Sequence, residues 1–168
     1  MNRRTRVRPV SAWICKEKKM SISYTLDQKS YEIGMINSFI EIVACGVKPL
    51  AISPPIEPEN LPLMEEVSRE LSEGFGTKYC VVESLMITDI QSAEFTKGKN
   101  SILYYKDDKV IERYHEMDRQ IAELTAAGEY CGKIRRDLSI EFGRMLGYPM
   151  DVVLHKVDSE VRIDPIVL

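Results

Sequence analysis

Cysteine and histidine are scarce in this sequence, and their scarcity excludes several kinds of site. The four cysteines lie far apart, at Cys15, Cys45, Cys80 and Cys131. Their spacing excludes a zinc-binding or thioredoxin-type cysteine pair. Neither of the two histidines, His115 and His155, has a recognisable Cys or Ser nucleophile beside it in sequence, so no catalytic triad is predicted. Unpaired cysteines are typical of reducing compartments, so we expect a cytoplasmic protein in which Cys45 and Cys80 are buried thiols.

Long apolar runs and glycine-rich loops are also missing. No run approaches the roughly 20 apolar residues of a membrane-spanning helix, and the N-terminus has no signal-peptide pattern. We therefore expect no membrane partner. The loop that follows Ile52 is rich in proline instead of glycine. Because proline has no backbone N–H, this loop cannot form a phosphate-binding loop, and the sequence indicates no cofactor.

The first 19 residues differ in charge from the rest of the chain. They contain seven Arg and Lys residues and one Glu, a net charge of +6, whereas the whole chain has a net charge of −3. A basic arm can bind nucleic acid or an acidic membrane surface. We favour an unstructured leader that is dispensable for folding, because a nucleic-acid-binding domain normally also has a basic folded face. Residues 20–168 are predicted to form a single domain.

A helix, a strand, a second helix and a second strand between residues 44 and 84 organise the predicted fold. An apolar helix over about 31–45 ends at Gly46, for which we predict a positive φ. Short apolar runs at 50–52 and 79–82 predict strands, and a helical pattern over about 61–73 connects them. Strands joined by a crossover helix most often lie parallel, so we predict a parallel βαβ core.

The remaining residues predict a third strand and a helical hairpin. The run at 102–105 is β-prone, and two helices over about 108–146 are separated by a turn at Gly128. Apolar residues of the first helix recur at spacings of four and three, so each helix presents one stripe and the two stripes should mostly face each other. The predicted class is α/β, with a small sheet of about three to five strands, packed helices and a C-terminal helical hairpin.

Polar residues at the predicted strand ends form the candidate site. In open α/β sheets, ligands bind beyond the carboxyl ends of the strands. Ser53, near a helix N-terminus, and Lys97 and Lys99, in a glycine-containing loop, are predicted to bind an anionic substrate. Glu83 and Asp89 are the candidate catalytic residues, as an acid–base pair or as Mg²⁺ ligands. Alternatively, Ser53 only caps a turn, and the charged residues form a solvated surface.

Two functions from different classes are compatible with this pattern. The favoured one is a cytoplasmic enzyme that binds a small anionic metabolite at the strand ends. The alternative is a non-catalytic homodimeric interaction or regulatory module. We also expect a homodimer, because helix 31–45 is apolar on most sides and one chain can cover only part of it. The sequence identifies neither the substrate nor a reaction.

Overall fold

The computed structural model describes residue 25, residues 27–91 and residues 96–159. The basic segment 1–19 lies outside these residues, as does the end of the chain from residue 160. The described helices and strands are α1 (Gln28–Ala44), β1 (Leu50–Ile52), α2 (Leu61–Phe75), β2 (Lys78–Val82), β3 (Ser101–Tyr105), α3 (Asp108–Ala126), α4 (Gly132–Met145) and α5 (Met150–Asp158). None of these helices is long and apolar enough to cross a membrane.

Local side-chain and glycine chemistry sets the helix ends. The Asp27 carboxylate accepts a 2.8 Å hydrogen bond from the Ser30 N–H at the start of α1, and hydrogen bonding to Ser30 lowers the pKa of Asp27. Asp107 caps α3 in the same way, through the Lys109 N–H at 3.0 Å. Gly46 follows α1 with φ of +73°, which confirms the predicted end of that helix.

The sheet has the order β1–β3–β2, and β3 is antiparallel to both neighbours. The predicted parallel βαβ pairing is therefore wrong. Strands β1 and β2 do point in the same direction, but β3 lies between them and forms hydrogen bonds with both. The physical reason is burial: four of the five β3 residues are buried, whereas β2 is partly exposed. Pairing β1 directly with β2 would leave β3, which has the most buried residues of the three strands, at an edge of the sheet.

Helices cover both faces of this sheet and create two apolar clusters. Alternate residues of β3 point to opposite faces, so Ile102 and Tyr104 pack on one side and Leu103 on the other. The first cluster lies under α1 and α2 and includes Ile36, Ile40, Val43, Ala51, Met64, Ile102 and Tyr104. The second lies under α3, α4 and α5 and includes Leu50, Leu103, Tyr114, Met117, Leu138, Phe142 and Val153. The protein is thus a three-layer α/β structure.

Helices α3 and α4 occupy the positions predicted for the hairpin, but their apolar stripes pack on the sheet as well as on each other. Tyr114 of α3 and Phe142 of α4 have ring centroids 6.2 Å apart, and both belong to the cluster that contains Leu103 of β3. Outside the core, Arg113 binds Glu141 through two hydrogen bonds of 2.6 and 2.8 Å. This pairing raises the pKa of Arg113 and lowers that of Glu141.

Close packing at Gly143 predicts that adding one methyl group there will destabilise the protein. A Cβ at this position would lie 2.9 Å from both Val153 methyl carbons and 3.0 Å from Ile90 Cδ1. We expect Gly143→Ala to lower the free energy of unfolding by about 1–3 kcal/mol. The control is Gly34→Ala in α1, where a Cβ meets nothing within 4 Å and should stabilise the helix by roughly 0.5–1 kcal/mol. Urea unfolding of both variants would contradict the packing if the two shifts had the same sign.

Candidate functional site

Ser53 lies at the end of β1, and its polar atoms are hydrogen-bonded. Its N–H donates to the Ile102 carbonyl at 2.8 Å, and its Oγ accepts from the Ile102 N–H at 2.9 Å. The hydroxyl also donates to the Pro54 carbonyl at 2.8 Å. Ser53 therefore continues the pairing with β3 beyond the strand, and it also lines the cavity described below.

The two candidate catalytic carboxylates differ in environment. Glu83 is exposed in the turn after β2. Asp89 is largely buried and binds Arg135 of α4, with both Nε and a terminal guanidinium nitrogen 2.9 Å from its Oδ1. The Asp89 N–H also donates to Ser139 Oγ at 2.9 Å. Within residues 27–91 and 96–159, no group of three or more His, Cys, Asp or Glu side chains is placed to hold a metal ion.

The two candidate substrate-binding lysines lie in the segment before β3. Lys97 is exposed, and Lys99 forms a 3.0 Å ion pair with Glu57. Neither lysine lines the cavity that contains Ser53, and neither do Glu83 and Asp89. Of the five residues predicted from the sequence, Ser53 is the one that this cavity includes.

This cavity has a volume of about 260 Å³ and lies beside the end of β1. Its walls come from α1, β1 and its following loop, the segment after β2, and the turn after α4. The lining is mostly apolar, with Met35, Phe39, Ala51, Ile52, Pro55, Leu85 and Leu146, and its polar members are Lys48, Ser53, Gln91, Thr96 and Tyr148. A small concave space with a mostly apolar lining and a few polar groups is typical of a ligand site.

Gln91 is the unusual polar residue of this lining. Its side chain is buried, with 8% of the residue exposed, and its amide nitrogen has no hydrogen-bond partner among the described residues. Leaving a buried donor unpaired costs about 1–3 kcal/mol, so such groups are rare unless they have a role. The amide of Gln91 therefore provides an unused donor at the cavity.

Lys48 provides a second donor. Its Nζ lies 4.4 Å from the centroid of the Tyr148 ring, and no described carboxylate forms a salt bridge with it. Burial lowers the pKa of Lys48 and raises that of Tyr148. The side-chain stem packs closely on Gly147, where a Cβ would lie 3.2 Å from Lys48 Cγ. Gly147 has φ of +72°, and this turn brings Tyr148 beside the lysine.

A second concave region, between α3 and α4, is larger and more open. It measures about 650 Å³ and is lined by charged residues that include Arg113 and Glu141. These two side chains form an ion pair with each other, so a ligand would have to break that pair in order to bind either of them. The cavity beside β1, which is partly open to solvent but less open than this region, is therefore the better candidate site.

Comparisons with protein-family models, with curated proteins and with solved structures found no match to this chain. The chemistry of the lining residues is therefore what indicates a ligand. Lys48 and Gln91 line one cavity, each with donor groups that no described acceptor uses. A carboxylate has two oxygens that can accept from an ammonium and from an amide, and the apolar walls suit a hydrocarbon body.

Proposed function

We propose that the protein binds a small carboxylate with an apolar body in the cavity beside β1. The carrying observation is the buried amide nitrogen of Gln91, which has no hydrogen-bond partner among the described residues. A ligand carboxylate would accept a hydrogen bond from this amide and would offset the charge of Lys48. Met35 and Phe39 of α1 would contact the apolar body. This proposal keeps the anionic ligand expected from the sequence and moves its recognition from Lys97 and Lys99 to Lys48 and Gln91.

The cavity size restricts the ligand. At about 260 Å³ it is slightly smaller than the usual range of roughly 300–1,000 Å³ for small-molecule sites. This volume favours a short branched or aromatic acid over a nucleotide. The proposal is for binding, and it assigns no reaction and no cofactor. A cytoplasmic location remains part of it, supported by the three unpaired cysteines of the described residues, Cys45, Cys80 and Cys131.

The homodimer remains a separate proposal, and the burial of α1 decides which substitution can test it. The fully buried face of α1, which includes Ile36 and Ile40, packs within one chain. A charge at Ile40 would therefore disrupt the monomer itself. Phe39 is partly exposed, so Phe39→Asp is the variant to compare with the unmodified protein by light scattering. A mass of one 19.3 kDa chain for the unmodified protein would contradict the dimer.

Calorimetric titration with two isosteric probes tests the binding proposal. We expect 3-methylbutanoate to bind and 3-methylbutanamide, which lacks the charge, to bind at least about tenfold more weakly. Gln91→Leu should weaken carboxylate binding by about tenfold or more, because it removes one donor. The same variant should be at least as stable as the unmodified protein, because it also removes a buried donor that pairs with none of the described residues. Loss of affinity with unchanged stability would assign Gln91 to binding.

Lys48→Met should have a similar effect on affinity, and its matched control is Lys97→Met, which changes an exposed lysine outside the cavity. Burial lowers the pKa of Lys48, so this side chain loses its proton at a lower pH than an ordinary lysine. Carboxylate affinity should therefore fall as the pH rises through that pKa, and Lys48→Met should remove this dependence. Equal binding of both probes, or unchanged affinity in Gln91→Leu and Lys48→Met, would contradict the proposal.

A further inference from the structure

Cys80 and His115 form a second group of reactive side chains, on the opposite face of the sheet from α1. Cys80 lies on β2, and its Sγ is 4.0 Å from Nε2 of His115 on α3. The imidazole packs edge-on against the Tyr114 ring, with centroids 5.6 Å apart. Lys78 at the start of β2 binds the Asp108 carboxylate at the start of α3 at 2.6 and 2.7 Å, which ties the two elements together.

The thiol in this pair depends on its neighbour for activation. Burial raises the pKa of Cys80, so the sulfur remains protonated at neutral pH and is a weak nucleophile on its own. An imidazole within hydrogen-bonding reach can take the thiol proton as the sulfur attacks. The sequence alone could not indicate this pairing of a nucleophile with a base, because Cys80 lies on β2 and His115 on α3.

We propose that Cys80 and His115 form a nucleophilic pair that adds to small α,β-unsaturated carbonyl compounds. His115 Nε2 would accept the thiol proton while the sulfur forms a bond to the β-carbon of the electrophile. The electron pair of the carbon–carbon double bond moves to the α-carbon, which then takes the proton from the imidazolium. Nothing leaves in this addition, and it needs no oxidant or further reactant. The site is independent of the cavity beside β1.

The other titratable groups around the pair do not compete with His115 near neutral pH. Burial is the main cause that raises the pKa of Tyr105 and of Tyr114. The hydrogen bond from Lys78 to Asp108 raises the pKa of that lysine, so it stays charged. The negative charge of the Asp118 carboxylate also raises the pKa of Tyr114.

The test is the rate of alkylation of each cysteine in the full-length protein by N-ethylmaleimide, measured by peptide mass spectrometry. Cys45 and Cys131 are exposed and serve as internal references. We expect His115→Gln to slow modification of Cys80 at pH 7 by at least about tenfold and to leave both references unchanged. His155→Gln, which changes the other histidine, on α5, should leave the Cys80 rate unchanged.

The pH dependence separates proton transfer from a packing effect. In the unmodified protein, the Cys80 rate should already rise with pH below the range in which the buried thiol ionises, because a base can take the thiol proton only in its unprotonated form. His115→Gln should leave only the later rise. A Cys80 rate that rises only with thiol ionisation in the unmodified protein, or that His115→Gln does not change, would overturn the proposal. The profile of the unmodified protein decides the question even if the variant does not fold.

Discussion

Phe142→Ala is expected to lower the free energy of unfolding by about 3–5 kcal/mol, because it removes a large side chain from the centre of a packed cluster. Phe142 is fully buried in α4 and lies against Tyr114 of α3, within the cluster that includes Leu103 of β3. The substitution would leave a cavity where two helices and the sheet meet. Urea unfolding, followed by circular dichroism, measures the loss.

The matched control for this change is Phe75→Ala, which makes the same substitution at the last residue of α2. Phe75 is 38% exposed, so its truncation should cost much less than that of Phe142, on the order of 1 kcal/mol. A similar loss at both positions would contradict the packing of α4 on the sheet. Such a result would also mean that packing of α4 on the sheet does not fix the position of the turn that carries Tyr148.

Asp89→Ala is expected to lower the free energy of unfolding by about 2–3 kcal/mol, because it leaves the partly buried Arg135 without its partner. The Arg135 side chain is 29% exposed and that of Asp89 14% exposed, so water can compensate only part of the loss. The control is Glu83→Ala, at an exposed position where we expect a change within about 0.5 kcal/mol.

These two carboxylates were predicted together as catalytic residues, and the comparison tests whether Asp89 has a structural role. Asp89 connects the segment after β2 to α4 through Arg135 and Ser139. If Asp89→Ala were as stable as Glu83→Ala, the ion pair would contribute little, and Asp89 would be available for another role. Thermal unfolding of the two variants beside the unmodified protein gives the answer.

The positions of helices and strands could be predicted from the sequence because local chemistry determines them. Asp27 and Asp107 begin helices as capping residues, and Gly46 ends one with a positive φ. The partner of each strand could not be predicted in the same way. The connection from β1 through α2 to β2 favoured a parallel pair, whereas the burial of β3 placed that strand between them. Pairing depends on how the helices on both faces bury each strand of the sheet, whereas sequence order reports only which elements follow one another along the chain.

Apolar neighbours in the sequence also failed to predict which residues are buried at the ends of helices. Cys45 was expected to be buried because it follows an apolar helix, yet it is exposed. It caps the C-terminus of α1, where the chain leaves the helix before β1. In the same way Ile134, an apolar residue in the first turn of α4, is 44% exposed.

The cavity could be predicted only in part. The position of Ser53 at a strand end predicts a ligand-binding role, and Ser53 does line the cavity. Lys48, Gln91 and Tyr148 come from three separate segments, and no spacing or motif connects them. Gln91 gives no sequence signal at all, because a glutamine becomes informative only when the structure shows that its buried amide has no partner among the described residues. Sequence periodicity reports burial along one element, whereas this site depends on contacts among several.

The measurement that tests the binding proposal most directly observes the side-chain amide of Gln91. In ¹⁵N-labelled full-length protein, the two N–H resonances of this side chain can be assigned by their loss in Gln91→Leu. We predict that adding 3-methylbutanoate shifts them with saturation, whereas the exposed amide of Gln28, which bonds Glu32 at 2.9 Å, stays unchanged. Resonances of Gln91 that do not move at saturating 3-methylbutanoate, or that move equally with 3-methylbutanamide, would contradict the proposed carboxylate site.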